Sequence, residues 1–114
     1  MAKKIILDTN FIIHSLTYKI DIIREIDRIC NFEYEISVLD NSLKELEYLK
    51  KKLALQIAKT FNIIQTNSEK GVDSLLIDYS KNGYIIATQD VALKRHLIKP
   101  IIIIRQKKFL QLQE

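Results

Sequence analysis

Four acidic residues stand where a carboxylate can do chemistry. Asp8 follows the apolar run Ile5-Ile6-Leu7, and Asp90 follows Tyr84-Ile85-Ile86-Ala87-Thr88 almost at once. Glu45 falls in the first turns of a leucine-striped segment, and Asp73 opens another apolar-periodic segment beside Gly71. Each acid alone is well explained as a helix cap or a surface charge, because Asp, Asn and Thr favour N-caps and an acid suits the positive end of a helix dipole. For Asp8, the stretch "ILDTNFII" taken by itself favours the cap, with Asp8, Thr9 or Asn10 opening a short helix over 11–16. The joint placement points elsewhere. Carboxylates held close together without a fixed cation disfavour one another's ionisation, and a hard divalent cation relieves that cost. Mg²⁺ and Mn²⁺ take oxygen ligands, and Mg²⁺ keeps waters that a phosphate can displace. The chemistry such a set serves is metal-assisted work on a phosphate.

Other chemistries find less support. There is no glycine-rich phosphate loop and no Gly-Lys-Thr/Ser sequence for a nucleoside triphosphate. His14 and His96 share no metal-ligand spacing with each other or with cysteine, and both read as surface residues. The single cysteine, Cys30, has no internal disulfide partner and reads as a core residue at the apolar end of a helix.

The acids need elements to position them. Ile5-Ile6-Leu7 is a continuous, β-branched apolar run, the pattern of a strand buried on both faces. Residues 21–30 follow a helical pattern with Ile22, Ile23, Ile26 and Ile29 on one face, and 35–39 read as a strand. Asp40, Asn41 or Ser42 can cap one long helix striped by Leu43, Leu46, Leu49, Leu53 and Ile57, ending near Thr60. A strand over 61–65 and a polar loop over 66–71 follow. Val72, Leu75, Leu76 and Tyr79 then mark a helix that Asn82-Gly83 stops. Strand 84–88, helix 91–98 and strand 101–104 complete the pattern. Repeated β-α units predict a mainly parallel sheet with helices on both faces, so residues 1–114 are expected to form one three-layer α/β/α sandwich. Ligands bind at the carboxyl ends of such strands, which places Asp8 and Asp90 on one edge. Helical geometry does not choose between Glu45 and Glu47, which flank the leucine stripe. In the tail over 106–114, Phe109, Leu110 and Leu112 either pack as a short final element or join a partner.

Composition sets the outer bounds. With 114 residues, 47% hydrophobic and 28% charged, the chain suits one globular domain. The apolar run over 101–104 is far below the roughly 18 residues a membrane span needs, and no signal-type segment follows Lys3 and Lys4, so a cytoplasmic location is expected. The net charge is +4 and the pI about 9.2. Lys50-Lys51-Lys52, Lys94-Arg95-His96 and Arg105-Gln106-Lys107-Lys108 carry much of that charge, an arrangement compatible with a polyanion.

The whole pattern resembles the PIN domain, a metal-dependent ribonuclease fold. The matching pieces are "ILDTNFII", "SLKELEYL", "KGVDSLLIDYSKNGYIIATQD" and "VALKRHLIKPIIIIR", which together cover nearly the whole chain. The Asp-Thr-Asn after the first strand and the Thr-x-Asp after the fourth are the most specific. "IIATQDVALKRHL" followed by "PIIIIR" resembles the archaeal and eukaryotic branch associated with ribosomal RNA processing more than VapC-type toxins. The resemblance implies a central sheet of about five strands in the order 3-2-1-4-5. It implies Asp8, Glu45, Asp73 and Asp90 as the catalytic, metal-holding acids, with Asn10 and Thr88 as polar supports, and it selects Glu45 over Glu47. The implied cofactor is Mg²⁺ or Mn²⁺, and the implied partner is RNA, single-stranded or structured, guided by Lys50, Lys51, Lys52, Lys94 and Arg95. A homodimer, an antitoxin and a ribosome-assembly partner are left open. Many relatives carry further acids where this chain has Ala92 and Ser74. That departure would weaken a second metal site before the first.

The expected activity is therefore metal-dependent hydrolysis of RNA phosphodiesters. A catalytically silent PIN-fold RNA-binding module is the main competitor, supported by the missing acid at position 92. A phosphoacceptor receiver domain fits worse, since it needs an acidic pair after the first strand and "LDTN" supplies one acid.

Overall fold

The computed structural model describes residues 2–114. Its elements run β1 (Lys3–Leu7), α1 (Thr9–Thr17), α2 (Ile22–Ile29), β2 (Tyr34–Leu39), α3 (Asp40–Tyr48), α4 (Lys52–Ala58), β3 (Asn62–Ile64), α5 (Val72–Lys81), β4 (Ile85–Ala87), α6 (Val91–Lys94), β5 (Ile101–Arg105) and β6 (Phe109–Gln113). The strands form one sheet in the order β3-β2-β1-β4-β5-β6. The first five are parallel, and β6 returns antiparallel beside β5.

Strand alternation divides the core in two. Ile5, Leu7, Ile85, Ala87, Ile102 and Ile104 face one cluster, which α1 and α2 cover with Phe11, Ile12, Ile22 and Ile26. Their neighbours Ile6, Ile86, Ile101 and Ile103 face the other, covered by Leu75 and Leu76 of α5 and by Leu93 and Leu97. Continuous isoleucine runs are thus what a sheet buried on both faces requires. The chain steps from β1 outward to β2 and β3, then crosses to β4 on β1's other side. The strand order therefore reverses between β1 and β4, where open α/β sheets leave a crevice at their carboxyl ends.

The expected strand order holds, and the structure adds a sixth strand from the tail. Arg105 pairs with Phe109 across a tight turn in which Gln106 and Lys107 take φ of 52° and 55°. Both values belong to the primed turns that match strand twist, reached here without Gly or Asn. The exposed edge of β6 is blunted by α2. Glu25 Oε1 accepts from Leu110 N at 2.9 Å, Arg28 Nη2 donates to Leu110 O at 2.8 Å, and the two side chains pair at 3.0 Å. Side chains thereby occupy backbone groups that would otherwise invite another strand.

Three expectations need correction. The single long helix is two, α3 and α4, broken at Leu49–Lys51 with Lys50 at φ 57°. Its leucine stripe is not one buried face, since Leu49 and Leu53 are 47% and 61% exposed. The helix over 91–98 ends at Lys94, after which bonds of three-residue span run from His96 N to Leu93 O and from Leu97 N to Lys94 O. Ile98 N then bonds Ser80 Oγ at 2.7 Å, which draws the chain toward α5. Ile23 is 56% exposed and does not share the buried face of Ile22 and Ile26.

The break after α3 has a defined geometry. Lys51 N donates to Leu46 O and Lys50 N to Glu47 O, the paired closure of a Schellman motif. The same pair closes α1 at Lys19 (φ 57°) and α5 at Gly83 (φ 90°). Only α5 uses the residue that adopts this conformation without strain. Lys50→Gly should raise stability by up to about 1 kcal/mol, and Gly83→Ala should lower it by about 1 kcal/mol through φ alone, because a Cβ at Gly83 meets nothing within 4 Å. Urea midpoints at unchanged m-value measure both; a Lys50→Gly variant less stable than the parent would contradict the strain.

Candidate active site

Backbone ladders carry Asp8 and Thr88 one residue past their strands. Asp8 N donates to Ala87 O at 2.9 Å, and Thr88 N donates to Ile102 O at 3.0 Å. Both residues are thus pinned at the crevice, where the Asp8 side chain lines it and the Thr88 side chain is buried against Asp8. Asp8 occupies the N-cap position of α1, yet its side chain makes no cap bond. Its Oδ2 instead accepts the Thr88 hydroxyl at 2.8 Å, and Thr88 Oγ1 accepts Asp90 N at 3.1 Å. A hydroxyl has one proton to give, so this contact fixes its direction: toward Asp8.

The other acids arrive from different elements. Thr9, buried at the first position of α1, donates through Oγ1 to Glu45 Oε1 at 3.1 Å and so ties α3 to the start of α1. Asp73 sits in the first turn of α5. The loop before it is held from α3: Asp40 Oδ1 accepts the Thr66 hydroxyl at 2.8 Å, and Asn41 Nδ2 donates to Ser68 O and Lys70 O at 3.2 and 3.3 Å. Burial raises the Asp40 carboxyl, but bonds from the Thr66 hydroxyl and from the N–H groups of Thr66, Asn41 and Asn67 outweigh it, and the group lies below its usual range. Asp90 is exposed and does serve as a cap, its Oδ1 accepting Leu93 N at 3.1 Å.

All four acids line one open cleft of about 790 Å³, together with Asn10, Asn41, Lys44 and Lys70. Glu45 lines it and Glu47 does not. Lys94 and Arg95 lie on and just beyond α6, outside this lining, and Lys50, Lys51 and Lys52 border a separate apolar groove with Ile13, Leu16 and Leu53. Sequence reasoning missed Thr9 and Asn41 as links, having read both only as caps; their place within "LDTN" and "LDNSL", directly after strands, was the available signal.

No family model matches the chain. It is similar in structure to the PIN domain endonuclease Utp24, with a TM-score of 0.82 and 26% identity over 96% of this chain and 90% of that one. It is also 32% identical over 126 aligned positions to Ribonuclease VapC4 of Methanocaldococcus jannaschii, covering 96% of this chain and 95% of the relative. The chain belongs to the PIN-domain ribonuclease family.

In this PIN domain the cleft is electrostatically unbalanced. Asp8 is 5% exposed, and its carboxyl is pushed up to about 6, by burial first and by the charges of Asp73 and Glu45 beyond that, against the lowering bonds from Thr88 and Thr9. Among the described residues no ion pair reaches any of the four acids; Lys70 pairs with Asp78 at 3.3 Å. The donor set is all oxygen, which suits a hard divalent cation. Among the described residues no three acids, histidines or cysteines stand close enough to form a ready-made ion site. The acids ring the cleft, an arrangement that limits repulsion between like charges.

A carboxyl raised in the folded state contributes stability that is complete below its unfolded value and lost as pH rises through its folded one. From 3.8 to about 6, the loss by neutral pH is about 3 kcal/mol. In chelator at pH 7, Asp8→Asn should therefore melt at or above the parent, and the difference should reverse in the parent's favour as pH falls toward 4. Added Mn²⁺ should raise the parent's melting temperature more than the variant's. Melting curves with and without Mn²⁺ decide this; a variant that melts well below the parent in chelator would make Asp8 structural.

Proposed function

We propose that the chain is an endoribonuclease that hydrolyses RNA phosphodiesters with Mg²⁺ or Mn²⁺. The observation that carries the proposal is Asp8: a buried carboxylate with no cationic partner, sharing one cleft with three further acids at the reversal of strand order. The names of the two relatives, a ribonuclease and an endonuclease, support the same reading.

Asp8, Glu45, Asp73 and Asp90 would hold the ion, which supplies Lewis acidity toward the phosphate and activates water for attack. The chain's own residues then have separable tasks. The Thr88 hydroxyl holds Asp8 Oδ2 and so fixes the orientation of that carboxyl at the cleft, and Thr9 keeps Glu45 from swinging out. Asn41 fixes the loop that precedes Asp73. Lys44 and Lys70 on the cleft wall would favour an approaching phosphate, and Lys94 and Arg95, which follow the Asp90 cap, would meet the backbone farther out. With Ala92 and Ser74 supplying no further acids, a single tightly held ion is the expected stoichiometry.

Ribosomal RNA processing is the role suggested by the sequence of the carboxyl-terminal half. A VapC-type nuclease is the second reading, favoured by the 32% identity to Ribonuclease VapC4.

Purified protein should cut single-stranded RNA with Mn²⁺ or Mg²⁺ and lose all cutting in excess chelator. Thr88→Val should slow cleavage about 10- to 100-fold, the range typical of residues that orient metal ligands. Equal cutting in chelator would exclude the metal mechanism, and no cutting with any divalent ion would favour the silent RNA-binding module. The double change Lys94→Ala and Arg95→Ala should flatten the salt dependence of RNA binding, whose slope is about −0.7 per neutralised phosphate on single strands; an unchanged slope would remove that segment from the binding surface.

A further inference from the structure

One stripe of α1 leads away from the cleft and ends on the β5–β6 turn. Asn10 lines the cleft, and His14 and Tyr18 follow at four-residue steps, so the three share a slowly winding face with a rise of about 6 Å per step. The His14 and Tyr18 rings are 6.1 Å apart at 29°, close to parallel. Lys107, at the turn, places Nζ 5.9 Å from the centroid of the Tyr18 ring. Thus an amide, two flat rings and an ammonium follow one another outward from the acids. Both residues are half-buried, and Tyr18 packs against the core.

That order matches what a single nucleic-acid strand offers. Bases stack on aromatic faces whatever their identity, and an ammonium beside the stack meets the phosphates. Double-stranded nucleic acid hides its base faces and could not use the rings. The turn that presents Lys107 is held in place from behind, because Glu25 and Arg28 fasten Leu110 to α2. Lys108 lies on a separate surface of mixed charge, with Lys19, Arg24 and Arg28 beside Asp21, Glu25 and Asp27.

We propose that His14, Tyr18 and Lys107 form a stacking track for the single-stranded RNA segment adjoining the scissile phosphate, so that the substrate runs from the acidic cleft along α1 to the β5–β6 turn. The proposal rests on the endoribonuclease reading for the identity of the strand. It accounts for a histidine with no metal partner and for a basic turn remote from the acids. It also implies a substrate requirement: the strand must extend several nucleotides beyond the cut on one side.

The test is binding of fluorescein-labelled oligouridylates, a dinucleotide and a strand of about six nucleotides, to the full chain in chelator, read by anisotropy. The parent should bind the longer strand markedly tighter than the dinucleotide. Tyr18→Leu, which keeps apolar bulk, should lower affinity for the longer strand about tenfold, and Tyr18→Phe, which keeps the ring, should restore most of it. His14→Ala should give a loss in the same direction. Lys107→Asn, chosen because Asn tolerates positive φ, should reduce the salt slope by about 0.7. A parent without length dependence would overturn the track, as would a Tyr18→Leu variant that keeps it or a Tyr18→Phe variant that loses it equally. Cleavage separates the two claims: a parent that shows the length dependence but cuts no RNA with Mn²⁺ keeps the track and removes the nuclease. One that cuts well while His14→Ala and Tyr18→Leu change neither binding nor cutting keeps the nuclease and removes the track.

Discussion

A carboxylate kept out of water at the reversal of strand order governs this molecule. Asp8 gives up most of its hydration and receives in return the Thr88 hydroxyl proton, a backbone bond from Thr9 and no cation. That hydroxyl cannot turn away, because its oxygen also accepts Asp90 N while the Thr88 backbone is bonded to β5. One side chain therefore sets the relative positions of the ends of β1, β4 and β5. The carboxyl that results sits near 6, an unfavourable state for a merely structural group at neutral pH and a favourable one for holding a cation. The two apolar faces of the sheet must offset that cost.

Around this point the remaining acids are held indirectly. Glu45 depends on Thr9 and the loop before Asp73 on Asn41, both small polar residues placed directly after strands. The cleft is thus assembled by hydroxyl and amide links, Thr88 to Asp8 between two strand ends, Thr9 to Glu45 between α1 and α3, and Asn41 to the loop before α5. The Thr88 and Thr9 hydroxyls each engage only one oxygen of their carboxylate, Asp8 Oδ2 and Glu45 Oε1.

The layered fold was legible because short, β-branched isoleucine runs such as 101–104 fit strands buried on both faces, and because apolar spacing marked the helices between them. Asp8 and Asp90 were legible as a pair because both follow such runs. The departures share a cause. Lys19, Lys50, Gln106 and Lys107 adopt left-handed backbone that is usually read from Gly or Asn, in a chain with only two glycines. Asn82-Gly83 announced its helix end, while Lys50 broke the long helix without a signal and Gln106-Lys107 made a hairpin that composition did not mark. The cap reading of Asp8 had the position right and the bond wrong, since the sequence does not show that Thr88, 80 residues away, competes for its oxygen.

The site turns on the state of one carboxyl, and its direct measurement is the titration of the Asp8 side-chain carbon by carbon-13 NMR in metal-free buffer. The expected midpoint is about 6, with a further rise in Thr88→Val and a fall when Mg²⁺ is added. A midpoint at the ordinary aspartate value of about 3.9, unmoved by Mg²⁺, would show that Asp8 is neither strained by burial nor facing a cation, and would contradict the site described above.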